Sequence, residues 1–228
     1  MAGSPNRAQA APERIAAALR GELLEGVHPV GTRFREEVLA ERFDVGRHTI
    51  RSAIQLLTER GLVAHERHRG AVVAPLSRRR IDEVFDYRKV LELGALRMAQ
   101  DKGADLSPVL AEVERLEELA GRSPAPSWRE LTGVHGAVHR AIVAAAGNRR
   151  LLDDFRRCED EIRLLLTFVR PDFDAARLAA VHRELVEKLR QGGKTAADAL
   201  TEDIDDGGRA ALLTALHRAE ESARLLGH

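Results

Sequence analysis

Four side chains in the second half of the sequence have the types and spacing to hold one metal ion. His135 and His139 stand four residues apart. A helix over 127–146 therefore turns both imidazoles to one face, where a single cation reaches both. Val138 and Ile142 run alongside them, which makes that face an inner one. His182 falls among Leu178, Val181 and Leu185, on the expected inner side of a helix over 174–191. Asp203 lies between Leu200 and Ile204 on the last helix. Three imidazoles and one carboxylate from three helices suit Zn, Ni, Mn or Fe, and they leave positions open for water or a carboxylate ligand. The residues between the paired histidines are Gly136, Ala137 and Val138, so the His-Glu-x-x-His pattern of zinc proteases fails here. A metal-dependent hydrolase built on this trio lacks an evident general base. Gly-x-Ser-x-Gly, P-loop and dinucleotide motifs are also missing. The chain is not expected to be an enzyme.

A second set of residues, in the first third, suits nucleic acid. Arg47 and Arg51 are four apart at the start of a helical pattern, on a face turned away from its apolar stripe, Ile50, Ala53, Ile54 and Leu57. A helix reads a major groove with the few side chains near its N-terminus, here Gly46, Arg47, His48, Thr49 and Arg51. Arginine forks onto guanine or clamps phosphate, and free amides at a helix start favour phosphate too. Arg67 and Arg69, with Gly70, form a basic tip that suits a narrow minor groove or the backbone.

These side chains need a framework, and the pattern supplies one. Ile15, Leu19 and Leu23 mark a first helix from about Glu13 to Gly26. A second runs from about Arg35 to Phe43, with Phe34, Val38 and Leu39 on its buried side. A third runs from Arg47 to Arg60, stopped by Gly61. Two β-type runs, 62–66 and 71–74, flank the basic tip. Residues 1–12 are rich in Ala, Pro, Gly and Ser and are expected to be a disordered tail, with a domain over 13–76 and a linker at 77–80. From 81 onward, helical patterns cover 81–102, 106–121, 127–146, 148–169, 174–191 and 195–225. The fold class is mainly α: a winged helix-turn-helix followed, over 81–228, by an all-helical antiparallel bundle.

Net charge is zero, but it is unevenly placed. Residues 1–80 carry 14 Arg against 9 Asp and Glu, a net of +5, and the remainder carries −5. Only the first part is thus suited to phosphate. One cysteine, Cys158, rules out an internal disulfide. There is no apolar run of the ~20 residues that span a bilayer and no leader-like stretch, so the expectation is a cytoplasmic protein without membrane contact.

The stretch Phe34-Arg-Glu-Glu-Val-Leu-Ala-Glu-Arg-Phe-Asp-Val-Gly-Arg-His-Thr-Ile-Arg-Ser-Ala-Ile, with Gly61-Leu62-Val63 and Arg69-Gly70-Ala71-Val72-Val73, resembles the signature of the GntR family of regulators. The resemblance implies that Arg47, Thr49 and Arg51 contact double-stranded operator DNA, with the wing at Arg69-Gly70 and Arg35 beside them. Asp44 stands where that family has glycine, Gly46 replaces serine, and His48-Thr49 replace Thr-Pro. Residues 82–225 resemble the FCD effector domain of the FadR branch through Tyr87-Arg88-Lys89-Val90-Leu91-Glu92, Val138-His139 with Ala146-Gly147-Asn148, and His182. Members of that group often bind a metal through one aspartate and three histidines. Here His135 takes the aspartate's place and Asp203 that of the last histidine, with Asp205, Asp206 and His217 as alternatives for the fourth ligand and a metal-free, hydrogen-bonded histidine cluster as the alternative to the site. Six helices resemble the VanR-like subgroup, which implies a small carboxylate or sugar-acid effector, with an acyl-CoA as a variant. Arg88, Arg156 and Arg163 are candidates to bind it; each is equally placed to pair with a neighbouring carboxylate such as Glu92, Glu159 or Asp160. The resemblance implies a homodimeric, ligand-responsive regulator, expected to repress. A helical part that only dimerises is the alternative.

Overall fold

The computed structural model describes residues 5–167 and 174–225, and the chain divides between Leu76 and Ser77 into two units. In the first, α1 (Pro5–Leu24), α2 (Glu36–Phe43) and α3 (Arg47–Glu59) precede an antiparallel hairpin of β1 (Val63–Glu66) and β2 (Gly70–Val73). The helix α1 begins at Pro5, so it takes in much of the segment expected as a disordered tail. Its Leu19 and Leu23 are buried together with Ile50, Ile54 and Leu57 of α3, the stripe that periodicity marks. Val38 departs from expectation: it faces solvent, and Phe34 and Leu39 carry the buried side of α2. The turn between α2 and α3 needs a left-handed residue, and Asp44 supplies it at φ 50°. Aspartate is among the few residues that visit that region readily, which explains how it stands in for glycine. In the hairpin Val63 pairs with Val73 and Glu66 with Gly70, leaving Arg67, His68 and Arg69 at the tip.

The second unit contains α4 (Arg78–Asp101), α5 (Ser107–Ala120), α6 (Trp128–Ala145), α7 (Arg149–Leu166), α8 (Ala175–Gln191), α9 (Gly193–Glu202) and α10 (Ala210–Leu225). The Ser77 hydroxyl accepts from the Arg80 amide at 3.2 Å and caps α4. Arg78, Arg79 and Arg80, expected in a linker, therefore form the first turn of this helix. Helix α6 packs against α4, α5 and α7, and α8 against α5 and α9. Leu96, Leu116, Ile142, Leu165 and Leu185 fill the space between them. The single cysteine, Cys158, lies in this interior, and burial pushes its thiol up to about 12. None of the described helices is long and apolar enough to cross a membrane.

The last helical stretch is not uniform. Between α9 and α10, residues Asp203–Arg209 form a π-helical segment, a widened turn that re-aims the side chains following it. The segment is fastened to α4. Lys89 Nζ lies 2.7 Å from Asp205 Oδ2, and Arg209 Nη2 donates to Asp86 Oδ1 at 2.5 Å. Gly208 sits against the Phe85 ring, so close that a β-carbon there would stand 2.7 Å from Cε1. At Gly207 the nearest atom to such a carbon is Asp203 Oδ1, at 3.9 Å. Gly208→Ala should therefore cost about 1–3 kcal/mol by overpacking. Gly207→Ala should be neutral or stabilising by up to about 1 kcal/mol, since alanine outranks glycine in a helix. Urea unfolding of the two variants checks the difference; equal stabilities would contradict the tight α4 contact.

Candidate metal centre and nucleic-acid interface

The helix α6 is started by a capping box: Ser127 Oγ accepts from the Glu130 amide, and the Glu130 carboxylate accepts from the Ser127 amide. That fixes where its inner face falls. Leu131, His135, Val138, His139 and Ile142 recur on it and all are buried. Gly136 leaves room for the Glu159 carboxylate of α7, whose Oε1 a β-carbon there would meet at 2.6 Å. On α8, Ala179, His182, Leu185 and Val186 are buried, while Val181, expected beside His182 on the inner side, faces solvent.

These elements bring His135, His139 and His182 together in the interior of the second unit. His139 Nε2 is 3.2 Å from His135 Nε2 and 3.2 Å from His182 Nε2. Asp203, the first residue of the π-helical segment, completes the group. Its Oδ2 is 3.5 Å from His139 Nε2, and its Oδ1 is 3.6 Å from His182 Nε2. Of the alternatives, Asp205 is engaged by Lys89, and the exposed His217 by Glu221.

For two of the three rings the outer nitrogen bears on what the inner one carries. His139 Nδ1 donates to Glu92 Oε2 at 2.9 Å, and His182 Nδ1 donates to the Leu178 carbonyl at 2.8 Å. Both partners only accept. In a neutral ring the proton then sits on Nδ1 and a lone pair points inward from Nε2. His135 is held well below the usual histidine range by burial, with His182 and His139 adding to it. Burial also lowers His182, partly offset by the Asp203 charge. Inward lone pairs 3.2 Å apart repel one another unless an electrophile lies between them. Two nitrogens on one ion, each about 2.1 Å from it, stand roughly 3.0–3.4 Å apart. The donor set and its spacing thus fit a divalent cation. Glu92 and the Leu178 carbonyl are the kind of outer partners that orient metal-bound imidazoles.

Sequence spacing marks Glu92 on α4 only as a partner for Arg88, and its contact with the histidine cluster is new in the structure. It is fully buried, and its Oε1 accepts from Arg88 Nε at 2.6 Å. Burial by itself would raise its pKa; Arg88 and His139 outweigh that and hold it at about 2. Arg88 is 3% exposed, and its Nη2 has no hydrogen-bond partner among the described residues and lies 3.8 Å from Asp203 Oδ2. Among the arginines considered for an effector, Arg88 is thus at the histidine cluster. Arg156 is not: it is exposed on α7 and donates to Asp153 at 3.1 Å. Its place in the sequence put it on a helix with an inner face, but it sits on the outer one. Arg163 is half-buried on α7, with its guanidinium near Gly133 of α6.

In the first unit, α3 begins at Arg47, with Gly46 as an extended N-cap. Arg47, His48 and Arg51 are exposed, Thr49 half-buried. The two arginines lean on α2: Arg47 Nη1 is 3.0 Å from Glu37 Oε1, and Arg51 Nε donates to Glu36 Oε2 at 2.7 Å. Exposed pairs of this kind are worth only about 0–1 kcal/mol, so they hold the two guanidiniums weakly. Arg35 is exposed at the start of α2 and Arg67 at the hairpin tip. Arg69 does not project freely. It donates to Glu66 Oε2 at 2.7 Å and to the Gly31 carbonyl at 3.0 Å, bracing the wing.

Residues 11–73 match the model of the bacterial regulatory proteins of the gntR family, and residues 83–207 match the FCD domain. The chain is 25% identical over 181 residues to the uncharacterized HTH-type transcriptional regulator YdhC of Bacillus subtilis, spanning 78% of this chain and 80% of that one. It is 27% identical over 145 residues to the HTH-type transcriptional repressor GlaR of Escherichia coli, spanning 62% and 66% of the two chains. Among solved structures, a GntR transcriptional regulator from Rhodococcus sp. RHA1 superposes with a TM-score of 0.74 at 26% identity, covering 89% of this chain and 97% of that one. E. coli McbR/YncC superposes at 0.71 with 18% identity, over 90% and 97%, which is a likeness of fold.

The Arg88–Glu92 pair makes its own prediction. Glu92→Leu leaves a buried guanidinium without its counter-charge, and breaking such a pair costs about 3–5 kcal/mol. Urea unfolding of the variant should show a loss of that size; a loss under about 1 kcal/mol would mean that water reaches Arg88.

Proposed function

The chain belongs to the GntR family and carries its FCD domain, and from that premise we propose that it is an operator-binding repressor, switched by a carboxylate effector held on a metal ion. The observation that carries the reading is the pairing of two sites in one chain. One unit offers Arg47, His48 and Arg51 at the exposed start of a third helix. The other turns three imidazole Nε2 atoms and a carboxylate toward one point. The relatives that are named as repressors support the direction of control.

As a homodimer, two winged helices meet two half-sites of a near-palindromic operator. Arg47 and Arg51 exchange Glu37 and Glu36 for base edges or phosphates. His135, His139, His182 and Asp203 hold the cation, Zn, Ni, Mn or Fe by donor type. When bound, the cation supplies a Lewis-acidic anchor for a carboxylate. Arg88 supplies the second anchor, because its Nη2 has no hydrogen-bond partner among the described residues and a guanidinium recognises carboxylates well. A small carboxylate or sugar acid satisfies both. Such an effector shifts DNA affinity only by binding two arrangements of the protein unequally, and Asp203 is the site residue that reaches α10 through the π-helical segment.

Two outcomes follow. Arg47→Ala and Arg51→Ala should each weaken operator binding by about 1–3 kcal/mol in a gel-shift titration; unchanged binding would remove them from the interface. Zinc or nickel at 100 times its dissociation constant should stabilise chelator-stripped protein by about 2.7 kcal/mol. Asp203→Ala should shrink that gain. Thermal unfolding reads both, and no metal-dependent shift with any of the four ions would contradict the metal site.

A further inference from the structure

We infer that Glu92 sets the charge of the effector, so that the buried cluster takes a ligand with one carboxylate and no second anionic group. This rests on the reading of a carboxylate held on a metal ion and says which carboxylates qualify. Arg88, Glu92 and the three histidines are buried, and the Asp203 side chain is 8% exposed. A charge left unbalanced in such an interior is costly, so the net charge of the cluster decides what it accepts. Among the described residues, the charged side chains within ion-pair distance of these rings, or of one another there, are Arg88, Glu92 and Asp203. Both Glu92 oxygens are committed: Oε1 accepts from Arg88 Nε at 2.6 Å and Oε2 from His139 Nδ1 at 2.9 Å. A carboxyl group that accepts at both oxygens carries no proton of its own, so Glu92 is ionised.

Without a cation, two carboxylates stand against one guanidinium, and the cluster is net negative and repels anions. A divalent cation on the imidazoles and Asp203 reverses the sign and leaves one positive charge. A single carboxylate cancels it. Arg88 gives that carboxylate its place, because Nε is spent on Glu92 while Nη2 has no hydrogen-bond partner among the described residues. A second anionic group would need a second cation. The basic residues next to the cluster in the chain are already engaged: Lys89 with Asp205, Arg140 with Glu159 and Arg183 with Glu117. Arg209, in the π-helical segment, holds Asp86. Arg163 meets α6 at Gly133, on the stripe with Gly136 and Arg140 that faces α7. Glu92 acts through Arg88 and His139, as a positioning residue. Removing its charge while keeping its shape adds one positive charge to the loaded cluster, and a dianion becomes the balanced ligand.

Two probes of one shape separate charge from fit: succinate, with two carboxylates, and succinamate, in which an amide replaces one of them. Isothermal titration calorimetry at neutral pH, on the full chain loaded with nickel, should show succinamate bound at least about tenfold tighter than succinate. Chelator-stripped protein should bind neither. By linkage, succinamate should tighten nickel binding by the factor by which nickel tightens succinamate. In Glu92→Gln the ratio should move toward succinate by at least about tenfold, whereas a structural defect alone would weaken both probes alike. The wild-type ratio stands however Glu92→Gln folds. Succinate bound as tightly as succinamate by the wild type, or an unchanged ratio in folded Glu92→Gln, would overturn the charge selection and leave the carboxylate reading in place. Nickel-loaded protein that binds neither probe would overturn both.

Discussion

Two imidazole nitrogens face each other at 3.2 Å inside a helical bundle, each with its outer nitrogen already committed to an acceptor. The arrangement around them follows from that constraint. Neutral rings oriented this way set lone pair against lone pair, and burial holds His135 and His182 below the usual histidine range. Glu92 enforces the arrangement from one side and the Leu178 carbonyl from another. Asp203 brings the negative charge that a cation would neutralise. An apolar filling of the same volume would be simpler to fold, so a cluster of this kind is evidence of a ligand more than of stability.

Helix α4 connects the parts of the second unit. Its inner face supplies Arg88 and Glu92 to the cluster; its flank holds the π-helical segment through Lys89 and Asp86; its outer face carries Tyr87 and Val90. The same segment begins with Asp203 and packs Gly208 on Phe85. A change in how Asp203 is engaged therefore bears on the contact between α4 and the last helix. Packed interiors of this density transmit such shifts because they have few voids to absorb them.

Much of this was legible in the sequence. The stripe Ile50, Ala53, Ile54 and Leu57 marks α3, and all four are buried as periodicity requires. The four-residue spacing of His135 and His139 marks a shared face, and the interior position of His182 follows from its leucine neighbours. Other features were not readable, for physical reasons. Val38 and Val181 are apolar but sit at angles that no neighbour covers, and composition does not distinguish those angles. Arg156 lies on an amphipathic helix whose arginines cover half the circumference, so its sequence position does not say which way it points. The π-helical turn has no local motif: Asp205-Asp206-Gly207-Gly208 reads as a weak helix, and only its contacts with α4 fix the widened turn. Glu92 is legible as a partner for Arg88, but its contact with His139 is not, because only the tertiary structure brings α4 and α6 together there.

Anomalous diffraction tests the central claim most directly. Crystals grown from chelator-free protein, measured across the absorption edges of zinc, nickel, iron and manganese, should show one peak per chain, enclosed by His135, His139, His182 and Asp203. Protein supplied with stoichiometric metal that shows no peak there, or places it elsewhere, would contradict the account.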